Sequence, residues 1–468
     1  MKKILFLLLI ALPVLLTGQN KEHKIKIVIN GYHDSTLYLA YYYGNKIKLA
    51  DTAVMSKPST YVFKGSQELK GGIYIVVSSK KTKLFEFVLN KKQNFTLKTD
   101  TTNYSLDLTP SGSPENKLFY QYLKNNEKVY SEIKTLSDSL KKLDKNSNEY
   151  NKISEEIATL KEEGKAFKLK MINDNPGTFT ATLLTAMREV EIPDSVKNSP
   201  DSTAAFYYYK NHFWDYFNLS DERLLRTPLF DKRIKEYFTN LVAFNPDSVM
   251  VAIDRVIAMA EPSDDVVSYL VWYFTSEYQN PKYMGFDKIF VHLVDQYFSK
   301  REIEFTTPSV LESLQKRANT LRSLLIGVEA PNLILIDTAG NYKSFLSIPN
   351  DYIVLLFWDY KCSICKREIK NLKKSLKDNT EFDIGVYAVN TNGDLKKWKK
   401  TIHERGLDNW FNVNGTRSVT KDFHDVYDIN GTPVIYLLDK DRKIIAKKLA
   451  GDKVIPYLEH YVKNKQNQ

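Results

Sequence analysis

Cysteine is nearly missing from this chain. Only two occur among 468 residues, and they sit together as Cys362-Ser363-Ile364-Cys365. That scarcity excludes a structural disulfide framework. It leaves the pair as a redox couple or as half of a metal site. Histidine is scarce as well, with seven scattered along the chain. Structural zinc normally takes four ligands. His424 is the nearest candidate, and nothing spaces it as a ligand. No second, distant cysteine exists to resolve a peroxidase-type intermediate.

Long apolar runs are missing beyond the first residues. The chain starts MKKILFLLLIALPVLLTGQN. Lys2 and Lys3 precede a short apolar stretch over residues 4–16, and Thr17-Gly18-Gln19 follows as a small-residue cleavage zone. This pattern reads as a secretory signal peptide over residues 1–18, with export to the periplasm or cell envelope. The run is short for a membrane-spanning anchor, and no cysteine follows it to carry a lipid. The mature protein is expected to be soluble. Dense blocks of like charge are missing too. The net charge is +11, from 67 basic and 56 acidic residues, but it is spread out. A basic, soluble surface follows, and a nucleic-acid partner does not.

What is present fits a multidomain protein. Hydrophobic content of 43% and charged content of 26% are ordinary, and 30 Tyr and 24 Phe can fill several cores. Residues 24–112 read as an N-terminal all-β sandwich. Ile25, Ile27 and Ile29 alternate with polar residues, and similar runs follow at 37–43, 61–63, 73–77, 84–89, 95–97 and 106–108. His33 stands beside a turn and reads as a surface residue. Residues 115–325 read as a central all-α domain. Val129, Ile133, Leu136, Leu140 and Leu143 form one seam. Tyr150, Ile153, Ile157, Leu160, Phe167 and Met171 form another in shifted phase. Polar residues 144–149 lie between, so a two-helix hairpin is expected. Aromatics at Phe206, Tyr207, Tyr208, Tyr209, Phe213, Trp214 and Phe217 follow at helical spacing, which suits a core more than a binding surface. Residues 326–468 alternate strand and helix patterns, as a C-terminal α/β domain does.

The chemistry lies in YIVLLFWDYKCSICKREIKNLKK. A buried strand runs into a short turn, and the cysteine pair opens a helix. A thiol at a helix N-terminus meets unsatisfied N–H groups and the positive end of the dipole. Both stabilise a thiolate, so Cys362 is expected to be the nucleophile. Cys365, one turn on, can close a small disulfide ring. Lys361 either adds a favourable charge or stays solvated.

At these residues the chain resembles the thioredoxin-fold, TlpA/ResA-like envelope reductases. Trp358 precedes the pair and Glu368 follows the second cysteine by three positions. Gly327-Val328-Glu329-Ala330-Pro331 is similar to the family's opening. Tyr427-Asp428-Ile429-Asn430-Gly431-Thr432-Pro433 is similar to its segment before a cis-proline, and a hairpin and Gly451 follow. Two features depart from the pattern: Lys361 replaces the commoner aromatic, and Ser-Ile stands between the cysteines. Both bear on the redox potential. The resemblance implies a C-terminal thioredoxin-like fold acting as a thiol–disulfide oxidoreductase, in the reducing direction. It implies Cys362, Cys365, Glu368 and Pro433 as catalytic residues, with Glu368 moving protons for Cys365. Trp358, Lys361 and Thr432 are expected to line the substrate groove. No cofactor is expected beyond a redox-active Cys362–Cys365 disulfide, and no metal. Disulfide-bearing envelope proteins are the implied substrates, and a membrane electron-transfer thiol protein the implied reductant. The N-terminal modules resemble uncharacterised ones placed ahead of such domains. The competing expectation is a non-catalytic binding or scaffold protein that uses the fold for partner recognition.

Overall fold

The structure is a computed structural model that describes residues 22–466. The signal-peptide reading over 1–18 lies outside the described residues. Among those described, no helix is long and apolar enough to cross a membrane. They fall into two compact units. One takes residues up to Leu241 together with Met259–Val266. The other takes Val242–Ala258 and everything from Val267 on. The helical stretch read at 115–325 contributes to both.

The first unit begins with eight strands: β1 (His23–Asn30), β2 (Thr36–Tyr43), β3 (Lys46–Val54), β4 (Thr60–Gly65), β5 (Gly72–Ser78), β6 (Lys83–Leu89), β7 (Asn94–Asp100) and β8 (Thr109–Ser111). They form two four-stranded sheets, ordered β4-β1-β7-β8 and β3-β2-β5-β6. Alternation decides which side is buried. Ile25, Ile27 and Ile29 go inside while Lys24 and Lys26 stay exposed. Phe87 of one sheet meets Phe95 of the other edge-on, ring centres 5.9 Å apart. Sequence patterning missed β3, an edge strand that leaves Ile47, Leu49 and Val54 largely exposed. It also drew a strand at 106–108, where the chain turns and β8 starts just after.

Among the described residues, seven helices follow the strands up to Leu241: α1 (Pro114–Leu140), α2 (Asn148–Asp174), α3 (Phe179–Ala186), α4 (Asp194–Lys197), α5 (Ala204–His212), α6 (Glu222–Leu225) and α7 (Pro228–Asn240). Asn116 of α1 exchanges both amide hydrogen bonds with the backbone of Val88, fastening α1 to the edge strand β6. α1 and α2 form the expected hairpin. Helix α2 restarts where the Ser147 hydroxyl accepts from the Tyr150 N–H. A flexible insertion within residues 144–146 should therefore barely change the unfolding midpoint, because lengthening an exposed loop costs little entropy. A large fall would indicate one continuous helix. Phe213, Trp214 and Phe217 are core residues, whereas Phe206 and Tyr207 are exposed.

Helices α8 (Pro246–Ala260), α9 (Asp264–Tyr278), α10 (Asp287–Leu293) and α11 (Pro308–Arg322) precede the α/β domain. That domain runs β9 (Ile334–Asp337), β10 (Tyr342–Ser344), β11 (Tyr352–Trp358), α12 (Ser363–Asp378), β12 (Ile384–Asn390), α13 (Leu395–Arg405), β13 (Phe411–Ser418), α14 (Phe423–Val426), β14 (Val434–Leu438), β15 (Ile444–Lys447) and α15 (Val454–Gln466). The sheet order is β10-β9-β13-β12-β11-β14-β15. β11, β12 and β13 are parallel, and β14 runs antiparallel beside β11. Both faces are covered, which is why β11 reads as an unbroken apolar run. Ile353, Leu355 and Phe357 join one core with Phe345, Phe423 and Tyr427. Val354, Leu356 and Trp358 join the other, with Cys365, Ile369 and Leu372 of α12.

Candidate active site

The site forms where β11 ends and α12 begins. Cys362 is the N-cap of α12, and its Sγ accepts from the Cys365 N–H at 3.1 Å. The turn before it is closed by the Cys362 N–H donating to the Asp359 carbonyl at 3.1 Å. Next to β11 in the sheet, the segment ahead of the neighbouring strand β14 arrives with a cis Thr432–Pro433 peptide bond. The Thr432 carbonyl lies 3.5 Å from Cys362 Sγ, within reach of the thiol's proton. Four expected residues, Cys362, Cys365, Thr432 and Pro433, therefore converge.

The two thiols are free and their surroundings differ. Cys362 is half-buried, and burial works to raise its pKa. Hydrogen bonds from the Cys365 thiol and amide, the Thr432 side chain and the Ile364 N–H outweigh that and hold it below the ordinary cysteine value. Cys365 is fully buried, and burial pushes its thiol up to about 11. One thiol is prepared to ionise and its neighbour to stay protonated.

The other expected residues have different duties. Trp358 cannot touch a substrate, because its side chain has no exposure. Strand alternation turns it into the core beneath α12, and the Arg405 guanidinium stands 5.5 Å from its ring. Lys361 is solvent-exposed, its ammonium 5.8 Å from the Tyr360 ring centre. Glu368 accepts from the Gly451 N–H at 2.9 Å and from Arg367 Nε at 3.2 Å. Gly451 is required there: a Cβ would come within 2.4 Å of the Glu368 carbonyl oxygen and 2.8 Å of the Leu372 nitrogen.

Sequence reasoning missed a polar scaffold behind the turn. Asp359 Oδ1 accepts from the Lys361 N–H at 2.8 Å, and its other oxygen accepts from Asn392 Nδ2 at 3.3 Å. Tyr360 donates its hydroxyl to Asn392 Oδ1 at 3.0 Å, and Arg405 donates to the Tyr360 carbonyl at 2.9 Å. Asp359 and Asn392 each follow the C-terminal end of a parallel strand, where open α/β sheets place their sites. That rule was the available signal. Ile364 was also missed: it lies between the cysteines and is 50% exposed, giving the pair an apolar flank.

The C-terminal residues are similar to known proteins. Residues 326–447 match the AhpC/TSA family. A stretch of 138 residues is 22% identical to the thiol-disulfide oxidoreductase ResA of Bacillus anthracis, covering 30% of this chain and 77% of that protein. The C-terminal domain is a TlpA/ResA-like thioredoxin-fold domain. Residues 23–119 and 138–320 match two domains of unknown function, DUF4369 and DUF5106. Among solved structures, a domain of a possible thiol-disulfide isomerase from Cytophaga hutchinsonii is 36% identical, covering 31% of this chain and 97% of that one, with a TM-score of 0.29. A thioredoxin-like protein from Bacteroides caccae is 18% identical, covering 58% and 98%, with a TM-score of 0.45. In the thioredoxin-fold domain of this chain, Cys362, Cys365 and the Thr432–Pro433 segment occupy one surface, and Trp358 supports it from below.

Proposed function

We propose that this protein is an extracytoplasmic thiol–disulfide oxidoreductase that reduces protein disulfides through Cys362 and Cys365. The opposed environments of the two thiols carry this reading. The Cys362 thiolate attacks one sulfur of a substrate disulfide. A mixed disulfide forms, and the other substrate sulfur leaves as a thiolate and takes up a proton. Cys365 then loses its proton and attacks Cys362 Sγ, which releases the second substrate sulfur. The substrate gains two electrons and two protons, and the chain is left with a Cys362–Cys365 disulfide. Glu368 is assigned the proton traffic of Cys365 by the family resemblance, and the exposed Ile364 gives extended substrates an apolar contact. An external dithiol, supplied by a membrane electron-transfer protein, returns the pair to its reduced state.

With a dithiol donor, the full chain should accelerate precipitation of reduced insulin. A silent assay would favour the binding-module reading. Export rests on the first residues, Lys2, Lys3 and the apolar stretch after them. Cell fractionation should recover an envelope form lacking about 18 to 20 residues, and an intact Met1 on the mature protein would count against export.

A further inference from the structure

One side chain ties the helices ahead of the thioredoxin-fold domain to its redox site. Arg317 of α11 forks onto Asp428, with Nη1 to Oδ1 at 3.0 Å and Nη2 to Oδ2 at 3.3 Å. The same Nη2 donates to the Gln279 carbonyl at 3.1 Å and to Asn280 Oδ1 at 3.0 Å, just beyond α9. The pair is well sheltered, with side-chain exposures of 23% and 13%. Forked pairs between arginine and carboxylate combine strength with fixed geometry. Asp428 needs such holding. Its φ of 51° lies in the left-handed region, which aspartate tolerates better than most residues but which still favours glycine, so side-chain bonds help to hold it. Asn430 Nδ2 adds a bond to Asp428 Oδ1 at 3.3 Å, and Ile429 is buried in the core. Two residues past Asn430 is Thr432, whose carbonyl faces Cys362 Sγ.

We propose that Arg317 is a positioning residue for the redox site: by gripping Asp428 it sets the turn through Asn430 and Gly431, and hence the distance of Thr432 from Cys362. The proposal rests on the oxidoreductase reading above for its meaning, though not for its measurement. Nothing in the motif itself contains this residue, which lies 111 positions before its partner. The neighbouring contact from α11, Lys316 to Asp425 at 3.8 Å, is a useful contrast. Both its side chains are exposed, so it contributes little and does not lead to the site.

The test uses the full chain with Arg317→Ala, Arg317→Lys, Asp428→Asn and Lys316→Ala. Thiolate ultraviolet absorbance of each reduced protein is followed against pH, and disulfide reduction is timed. Arg317→Ala should loosen the hydrogen bond from the Thr432 side chain that helps hold the Cys362 pKa down. The Cys362 titration should then move upward, toward an ordinary cysteine, and reduction should slow on the order of tenfold, since small misplacements near reacting atoms are costly. Arg317→Lys should restore only part of both, because an ammonium cannot fork. Asp428→Asn combined with Arg317→Ala should add nothing to Arg317→Ala alone, as expected for one shared contact. Lys316→Ala should change neither readout. A titration of Arg317→Ala that superimposes on the parent curve overturns the proposal, whatever happens to the melting temperature. If Arg317→Ala fails to fold, Arg317→Lys and Asp428→Asn carry the same readouts. The titration needs no substrate. A parent protein that titrates normally yet reduces nothing would sink the oxidoreductase reading and leave the positioning claim to its own curve.

Discussion

Cys365→Ser should accumulate mixed disulfides through Cys362, whereas Cys362→Ser should accumulate almost none. Attack requires a thiolate in reach of the substrate. Cys362 meets both conditions: it is partly exposed, and its pKa is lowered by bonds from Cys365, Thr432 and Ile364 that outweigh burial. Cys365 meets neither. It is buried, and with a pKa pushed up to about 11 it is ionised to only about one part in ten thousand at neutral pH. Either substitution should lower turnover on the order of a thousandfold, because the two thiols act as one unit. The same asymmetry sets a pH profile. Alkylation of the reduced protein should rise with pH through one step below the ordinary cysteine value and modify Cys362 alone. A second step, at Cys365, should appear only in strongly alkaline solution. Glu368→Gln should slow turnover yet leave the disulfide able to form. Mass spectrometry of the trapped adducts decides the assignment. Adducts sitting mainly on Cys365 would remove the helix-terminus argument along with it.

The parts of the site that were legible in the sequence are those encoded by local spacing. A strand, a short turn and a cysteine opening a helix follow from consecutive residues, and so does the Thr432-Pro433 dipeptide before β14. The alternation of strand and helix over 326–468 follows equally well, and β11, α13 and β14 bear it out. Trp358 shows where motif reading misleads. Its place in the chain is next to the turn, but a strand buried on both faces sends alternate side chains to opposite cores, and Trp358 falls with Val354 and Leu356. Counting back along the strand would have revealed this. The contacts of Glu368 with Gly451, 83 positions away, and of Arg317 with Asp428 were beyond reach. No local pattern marks a partner that only the folded chain brings near. Strand β3 escaped for a different reason: its alternation is confined to Lys46-Ile47-Lys48-Leu49, and on this edge strand Ile47 and Leu49 stay exposed, so the pattern is not one that burial extends.

Asp287→Ala should destabilise the protein by about 3–5 kcal/mol, the usual result of stripping one partner from a buried ion pair. Asp287 of α10 and Lys447 of β15 are both nearly fully buried, and the Lys447 ammonium is bonded to the Asp287 carboxylate and, at 2.6 Å, to the Leu324 carbonyl. Burial holds the Lys447 pKa below its ordinary value, with Asp287 pulling the other way. Without Asp287 the ammonium loses its only counter-charge among these partners. Yet the pair itself is expected to add little over an apolar substitute, because two charges were desolvated to make it. Asp287 Oδ1 sharpens that expectation, being buried without a hydrogen-bond partner among the described residues. The double variant Asp287→Leu, Lys447→Met should therefore unfold within about 1 kcal/mol of the parent or later. Denaturant midpoints at equal slope measure both effects. If the double variant is as weak as Asp287→Ala, then shape and not charge sets the cost, and the argument fails. Disulfide turnover in the double variant should match the parent. This ion pair fastens the sheet edge at β15, whereas Arg317 reaches the turn ahead of Cys362's partner carbonyl, so the two contacts separate holding the fold from placing the site.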